Sequence, residues 1–258
     1  MCITGTVGNG GANAATDIRC VQLLLNMNRS RDDLSADLAI DGLWGAQSRT
    51  ALAKFRSGIG VDPEALLVPG DVTMEAFRRL LPAGLTRGKL WTVMTDAEAA
   101  RIELFFQPII TTLTRYAIDT PLRMAHFLAQ IGHESGCLRY TKELDSGRAY
   151  EGRQDLGNVK KDDGPLFKGR GLIQLTGRNN YRAYGKACGR DLESDPNLVS
   201  TDPYLAADVA GWFWAGHQLN DWADRDDLSE ITRRINGGLN GLADRAELLA
   251  RAKWLLLP

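Results

Sequence analysis

Two glutamates nine positions apart, Glu134 and Glu143, are the residues best suited to chemistry. The sequence predicts a largely apolar helix over 122–135. Its polar residues form one line at i, i+4 and i+8: His126, Gln130 and Glu134. A polar line on a buried helix needs partners or a cleft. In the last turn of a helix the dipole disfavours a carboxylate anion, which suits Glu134 to proton donation. The structural alternative is a glutamate paired with an arginine.

Glu143 lies beyond the end of that helix, which Gly136 is predicted to stop. A second carboxylate on a loop that faces the helix end is the arrangement that glycoside hydrolysis needs. One carboxyl group stays protonated and donates to the leaving oxygen, while the other stays ionised and activates water or attacks carbon. The pair alone is a weak signal, because two glutamates at this spacing are common.

A third element combines a tight backbone with amide and hydroxyl side chains. Gly169 and Gly171 flank Arg170. Gln174 and Thr176 then alternate with apolar residues, a pattern that predicts a half-buried strand whose polar face looks into a site. Amides and hydroxyls suit sugar recognition and the holding of one water. The glycine spacing differs from that of a phosphate-binding loop.

The fourth element is Asn236, followed by two glycines and, further on, by Arg245. An Asn-Gly-Gly sequence is also a common helix stop, so its spacing alone leaves both interpretations open.

In this order the four elements resemble the family 19 chitinase and lysozyme-like glycoside hydrolases and, more closely, the bacteriophage endolysins of that family. The resemblance covers roughly residues 120–258. Its motifs are His133-Glu134-Ser135-Gly136, Glu143, Gly169-Arg170-Gly171-Leu172-Ile173-Gln174-Leu175-Thr176 and Ile235-Asn236-Gly237-Gly238. The resemblance implies a helical lysozyme-superfamily fold, cleavage of a β-1,4 glycan with inversion, and Glu134 as the general acid.

The same resemblance implies roles for four further side chains. Gln174, Thr176 and Asn236 match positions that hold substrate or water. Arg245 matches a charge partner within the carboxylate network.

The second catalytic carboxylate has two candidates. Compact phage members of the family have an acidic residue where Glu143 stands, which places Glu143 first. Glu151 is the second candidate. Its structural alternative is an ion pair with Arg153 or Arg170.

Residues 1–82 form a predicted unit of their own. Apolar spacing predicts three short helices, which can close a small core only by packing on one another. The turn Asp41-Gly42-Leu43-Trp44-Gly45 separates the first two helices. Helices and turn resemble the three-helix peptidoglycan-binding domain of cell-wall hydrolases, which implies that Asp41, Gly42 and Trp44 belong to a wall-binding module. The alternative is that these residues only shape the turn and fill the core.

The predicted organisation is mainly α. A small three-helix binding domain at 1–82 is followed by a linker at 83–92, a stretch that contains two glycines. A larger helical domain of the lysozyme superfamily, with a minor β element, is predicted at 93–258.

Composition excludes several classes of protein. The chain has 258 residues, with 31 Lys plus Arg against 32 Asp plus Glu. This balance argues against nucleic acid or an anionic membrane surface as the main partner. No run approaches the roughly 20 apolar residues that span a bilayer, so we expect no stable membrane insertion. The N-terminus lacks the pattern of a signal peptide, and the four cysteines are expected to be free thiols.

We therefore expect a monomeric endolysin that binds and cleaves peptidoglycan and needs no metal or other cofactor. It would be made in the host cytoplasm and reach the wall through a holin-type pore. The alternatives are a chitinase of the same family and a non-catalytic wall-binding or phage tail protein. A zinc amidase would use the chain's histidines with Cys137 and Cys188, and a Cys-His peptidase would use Cys137 and His217. Neither has the expected motif spacing.

Overall fold

The structure, a computed structural model, describes residues 1–29 and 37–258. This part of the chain is mainly helical, as the sequence predicts. It divides into two compact units, the first formed by 1–96 together with 247–258 and the second by 97–246. None of the helices in the described ranges is long and apolar enough to cross a membrane.

In the described residues, the first unit contains four complete helices and the C-terminal part of a fifth. These are α1 (Ala15–Met27), α2 (Ala46–Gly58), α3 (Val72–Arg79), α4 (Arg87–Val93) and the end of α13 (Leu242–Leu256). The three helices predicted for the N-terminal segment are thus present. Their buried apolar side chains include Ile18, Val21 and Leu25 of α1, Leu52 of α2 and Phe77 of α3.

The linker predicted at 83–92 is wrong in its second half, because α4 occupies Arg87–Val93. The side chain of Thr86 caps this helix by accepting a hydrogen bond from the backbone N–H of Lys89 at 3.3 Å. Leu90 is fully buried, so α4 belongs to the core of the first unit.

The predicted domain boundaries also differ from the observed units at the C-terminus, since 247–258 belong to the first unit. Arg251 donates to the hydroxyl of Thr95 at 3.1 Å. Arg78 donates to the carbonyl of Leu257 at 3.1 Å. Residues 1–82 are therefore only part of a compact unit.

The second unit contains the remaining helices and two short 3-10 helices. They are α5 (Ala99–Arg115), α6 (Pro121–Glu134), α7 (Asp163–Leu166), α8 (Arg178–Cys188), α9 (Leu198–Thr201), α10 (Pro203–Gly216), α11 (Leu219–Asp224), α12 (Leu228–Asn236) and the start of α13, with 3-10 helices at Arg148–Tyr150 and Gln154–Leu156. The long helices α5 and α10 pack on each other. The side chain of Thr120 caps α6, which begins with Pro121 as expected.

The half-buried strand predicted around Gln174 and Thr176 is a tight turn instead. Arg170 and Leu175 exchange both backbone hydrogen bonds, at 3.1 and 2.8 Å. The chain reverses between them because Gly171 and Gln174 adopt positive φ values of 76° and 56°. Alternation of polar and apolar residues cannot distinguish a strand from such a turn. In the described ranges the β structure consists of isolated bridges.

Candidate active site

Helix α6, which lies in the second unit, carries the predicted line of polar residues. His126 and Gln130 are fully buried, and Glu134 ends the helix with 18% of its side chain exposed. His126 lies 2.8 Å from a carboxylate oxygen of Asp226, which gives this buried imidazole a partner. The line of polar residues therefore runs from the buried middle of α6 to the Glu134 carboxyl group at its end, which solvent can reach.

Arg245, near the start of α13, joins two members of that line. Its Nη2 donates to Oε1 of Glu134 and its Nη1 donates to Oε1 of Gln130. The guanidinium is 1% exposed. The resemblance implied that Arg245 is a charge partner within the carboxylate network, and its ion pair with Glu134 fixes the position of that carboxyl group. A pair with an arginine is also the structural alternative given for Glu134. The catalytic role of Glu134 stays a prediction.

A left-handed turn follows Glu134. Gly136, Cys137 and Leu138 have positive φ values of 56°, 57° and 66° in succession. Ser135 supports the turn, because its hydroxyl accepts from the N–H of Leu138 at 2.8 Å and its carbonyl accepts from Tyr140 at 2.8 Å. The predicted stop at Gly136 is therefore the start of a sharp reversal that leads the chain toward Glu143.

Glu143 is held by donors on both carboxylate oxygens. The hydroxyl of Tyr150 donates to Oε1 at 2.9 Å, and the backbone N–H of Gly169 donates to Oε2 at 3.0 Å. The N–H of Glu143 donates in return to the carbonyl of Gly169 at 2.9 Å. These contacts orient the carboxylate as a hydrogen-bond acceptor.

Tyr150 is a site residue that the sequence analysis missed. Burial, followed by the hydrogen bond to Glu143, raises the pKa of Tyr150 to about 12. The phenol therefore keeps its proton near neutral pH and remains a donor. Its backbone carbonyl accepts from the side chain of Asn158 at 2.9 Å, and Asn158 is fully buried. A tyrosine seven positions after Glu143 gave no periodic signal that could have identified it.

Glu151, the second candidate for the catalytic base, binds the backbone of the loop at 162–164. Its two carboxylate oxygens accept from the backbone N–H groups of Asp162 at 2.7 Å and Gly164 at 2.8 Å. Arg153 pairs with Asp155 at 2.5 Å, so the alternative of an Arg153–Glu151 pair is wrong.

The alternative pair of Glu151 with Arg170 is also wrong. Arg170 donates to the carbonyls of Leu166 and Lys168, to the hydroxyl of Tyr181, and to the side chain of Asn197.

Gly169 brings Gln174 next to Glu143. A Cβ atom added at Gly169 would lie 2.8 Å from Oε1 of Gln174 and 3.2 Å from Oε2 of Glu143, so a side chain at this position would displace one or both of these groups. Gln174 holds its own side chain in place by donating from Nε2 to the carbonyl of Gly171 at 2.9 Å. The hydroxyl of Thr176 donates to the carbonyl of Gln174 at 2.9 Å.

Asn236 ends α12 and is exposed. Its side-chain amide donates to the carbonyl of Asn240 at 3.1 Å. The turn that follows reaches the end of α6, because a Cβ at Gly241 would lie 2.2 Å from the ring of His133. His133 also lies 2.6 Å from the carboxylate of Asp244. The structure thus places the Asn236 turn against the residue that precedes Glu134.

The predicted site residues therefore form two groups. One contains Glu134 and Arg245, and the other contains Glu143, Gln174 and Thr176. Among the described residues, none of the hydrogen bonds joins the two carboxyl groups directly. An inverting pair must leave room for a water molecule and a sugar between its carboxyl groups.

In the first unit, two of the three predicted wall-binding residues shape a turn. Oδ1 of Asp41 accepts from Gln22 at 2.8 Å and from the N–H of Leu43 at 2.9 Å, and these hydrogen bonds lower the pKa of Asp41. Gly42 has a φ of 73° and donates to Gln22 at 3.1 Å. Trp44, the third residue, lines a groove beside α2.

Two carboxyl groups held by separate donor sets on a helical scaffold are typical of acid–base glycoside hydrolases. Comparison with known proteins gives the family. The family model described as chitinase class I matches residues 121–229. A glycosyl hydrolase family 19 domain-containing protein of Haemophilus influenzae is 33% identical over 174 residues, covering 55% of this chain and 84% of that protein. The chain belongs to glycosyl hydrolase family 19 and is a glycoside hydrolase.

Plant relatives match a shorter part of the chain. Chitinase 11 of Oryza sativa is 52% identical over 93 residues, which are 29% of this chain and 36% of that protein. An endochitinase of Arabidopsis thaliana is 38% identical over 119 residues, 45% of this chain and 39% of that protein. The chain thus spans less than half the length of these plant chitinases.

Solved structures agree with the fold. Chitinase C from Streptomyces griseus superposes with a TM-score of 0.55 at 24% identity, covering 68% of this chain and 78% of that chain. A bacterial family 19 chitinase superposes with a TM-score of 0.55 at 23% identity, covering 66% and 94%.

Proposed function

We propose that the protein hydrolyses the β-1,4 glycan strands of bacterial peptidoglycan with inversion, in the role of a phage endolysin. The catalytic part of this proposal rests on one observation, that two carboxyl groups are bound by different hydrogen-bond donors. Glu134 is bound by Arg245, and Glu143 is bound by Tyr150 and Gly169. A glycosidase of this type needs two carboxyl groups in different environments, one for each role.

In the proposed reaction, Glu134 is the general acid. Arg245 engages Oε1, so Oε2 is the oxygen that would carry the proton to the leaving group. Glu143 is the general base that takes a proton from water attacking the opposite face of the sugar ring. Gln174, next to Glu143, and Thr176 would orient that water or the sugar.

Asn236 would contact the sugar near Glu134, since the turn that follows Asn236 lies against the end of α6. The reaction needs no metal ion, because proton transfer and water activation both come from carboxyl groups. Activity is expected to survive dialysis against EDTA.

The choice of peptidoglycan rests on the sequence of the first unit, which resembles a wall-binding module. An endolysin role would have the protein made in the host cytoplasm as a monomer and released to the wall through a holin-type pore. Chitin is the second candidate substrate, because the plant relatives named above are chitinases.

Hydrolysis of purified peptidoglycan and of chitin oligosaccharides by the same preparation tests this proposal. We expect release of soluble fragments from peptidoglycan at a rate at least tenfold above turnover of the chitin oligosaccharides. Glu134→Gln is the matched control, since it keeps the size of the side chain and removes the transferable proton. General acid catalysis contributes about 10²–10⁴-fold, so this variant should lose at least about 100-fold. Preference for chitin, or activity in Glu134→Gln, would contradict the proposal.

A further inference from the structure

A groove of about 630 Å³ lies along α2 in the first unit. Side chains of α2 line it, and the segments 8–9 and 63–65 complete its walls. Trp44, which precedes α2, also lines the groove. This volume is in the range of sites that bind small molecules or short peptides.

The groove has a cationic surface. Arg49 and Lys54 line it with exposed side chains, against one exposed acid, Glu64. Arg56 also lines it but is 1% exposed, and it donates to the hydroxyl of Thr73 at 3.1 Å. Arg56 therefore stabilises the side of the groove, while Arg49 and Lys54 supply positive charge to a ligand. A guanidinium binds carboxylates through two parallel hydrogen bonds, which an ammonium cannot do.

Trp44 supplies an apolar surface beside these cations. The Asp41–Gly42 turn fixes the start of the segment that carries this half-buried side chain. An indole that lines the same groove as an exposed guanidinium suits a ligand that combines carboxylates with small apolar side chains.

We propose that this groove binds the stem peptides of peptidoglycan through their carboxylates, and does not bind the uncharged glycan. The inference rests on the proposed wall substrate, whose glycan strands carry short acidic peptides. Arg49 forms the carboxylate pair, Lys54 adds positive potential, and Trp44 contacts the apolar part of the peptide. The groove thereby holds the enzyme on the wall and raises the concentration of glycan at the active site.

Binding of a free stem tetrapeptide to the full-length protein tests the proposal, with chitotetraose as the neutral glycan probe. Arg49→Gln should weaken tetrapeptide binding at least about tenfold, because a hydrogen-bonded charge pair is lost. Arg79→Gln removes the same charge from an exposed arginine of the same unit outside the groove, and it should leave binding unchanged. Arg49→Lys should give an intermediate loss of tetrapeptide affinity, since a lysine keeps the positive charge but cannot form the two parallel hydrogen bonds of a guanidinium.

Two readouts separate this inference from the proposed function. Turnover of soluble glycan should be equal in Arg49→Gln and wild type, because the groove is not part of the active site. Equal tetrapeptide affinity in Arg49→Gln and Arg79→Gln, no tetrapeptide binding to the wild type, or a loss of chitotetraose binding in Arg49→Gln would each overturn the inference. Failure to digest peptidoglycan while the tetrapeptide still binds through Arg49 would overturn the proposed function alone.

Discussion

Arg245 and Glu134 form an ion pair in which the arginine is almost fully buried and the glutamate is partly exposed. The same guanidinium also binds the buried amide of Gln130. One arginine from α13 therefore sets the position of the carboxyl group at the end of α6. The geometry of the proposed acid depends on a residue 111 positions away in the sequence.

Replacement of Arg245 should cost both stability and activity. Arg245→Gln leaves Glu134 without its partner in a poorly solvated position, and breaking a buried pair costs about 3–5 kcal/mol. Partial exposure of Glu134 places the expected loss near the lower end of that range. Arg234→Gln breaks an exposed pair with Glu230 and should cost less than about 1 kcal/mol. Chemical denaturation of both variants measures the difference, and equal losses would contradict the structural role of Arg245.

Glu143 and Glu151 should respond differently to the same substitution. Glu143→Gln removes the proposed base and should lower kcat by at least about 100-fold. Little change in Tm is expected, because the new amide nitrogen can donate to the hydroxyl of Tyr150 while the amide oxygen still accepts from the N–H of Gly169. Glu151→Gln loses one backbone hydrogen bond in the 162–164 loop, so it should lower stability by about 1–2 kcal/mol and reduce activity less than tenfold. Activity assays and thermal unfolding on both variants check this. The reverse pattern would make Glu151 the base.

Tyr150 should act as a positioning residue for Glu143. Tyr150→Phe removes a donor to the ionised carboxylate, and such a hydrogen bond contributes about 1.5–3 kcal/mol. We expect kcat to fall at least about tenfold with little change in KM, because the carboxylate loses a contact that orients it for proton transfer. Tyr204→Phe, at an exposed position, is the control. An unchanged kcat in Tyr150→Phe would limit Tyr150 to a structural role.

Tyr181 should make stability depend on pH in the alkaline range. Burial, opposed by Arg170, raises the pKa of Tyr181 to about 12. The pKa of Tyr181 in the folded state exceeds its value of about 10 in the unfolded state. The contribution of the protonated phenol to the free energy of unfolding is therefore complete below pH 10 and is lost as pH rises to about 12.

The comparison of wild type with Tyr181→Phe isolates this contribution. The variant loses hydrogen bonds with Arg170 and with the carbonyl of Lys168, so it should be about 1–2 kcal/mol less stable near pH 8. The difference in free energy of unfolding between the wild type and Tyr181→Phe should shrink by about 2 kcal/mol, and can change sign, between pH 10 and pH 12. Urea unfolding at each pH measures it, and a constant gap would show that Tyr181 titrates normally.

Local sequence signals predicted the element that carries Glu134. Thr120 and Pro121 begin α6, and the reversal at Gly136 follows its end. These features depend on neighbours in the sequence, so composition and spacing reveal them. The resemblance to a family indicated Arg245 as a charge partner within the carboxylate network. Its specific pair with Glu134 comes from the structure, since no local pattern connects two such distant residues.

Other features depend on contacts that no local pattern encodes. Gln174 adopts a left-handed conformation in a turn, while its alternation with apolar neighbours predicted a strand. Tyr150 reaches Glu143 only after 3-10 turns fold the loop. Helix α4 includes Gly88, one of the two glycines that indicate a linker. Residues 247–258 belong to the first unit through tertiary contacts with Thr95 and Arg78.

The bond that is cut tests the central claim most directly. Mass spectrometry of peptidoglycan digested by the wild type, after reduction of the new sugar ends with borohydride, identifies that bond. We expect new reduced sugar ends that increase with time and are absent with Glu134→Gln. Fragments with new peptide or amide termini and no new reducing ends would contradict it.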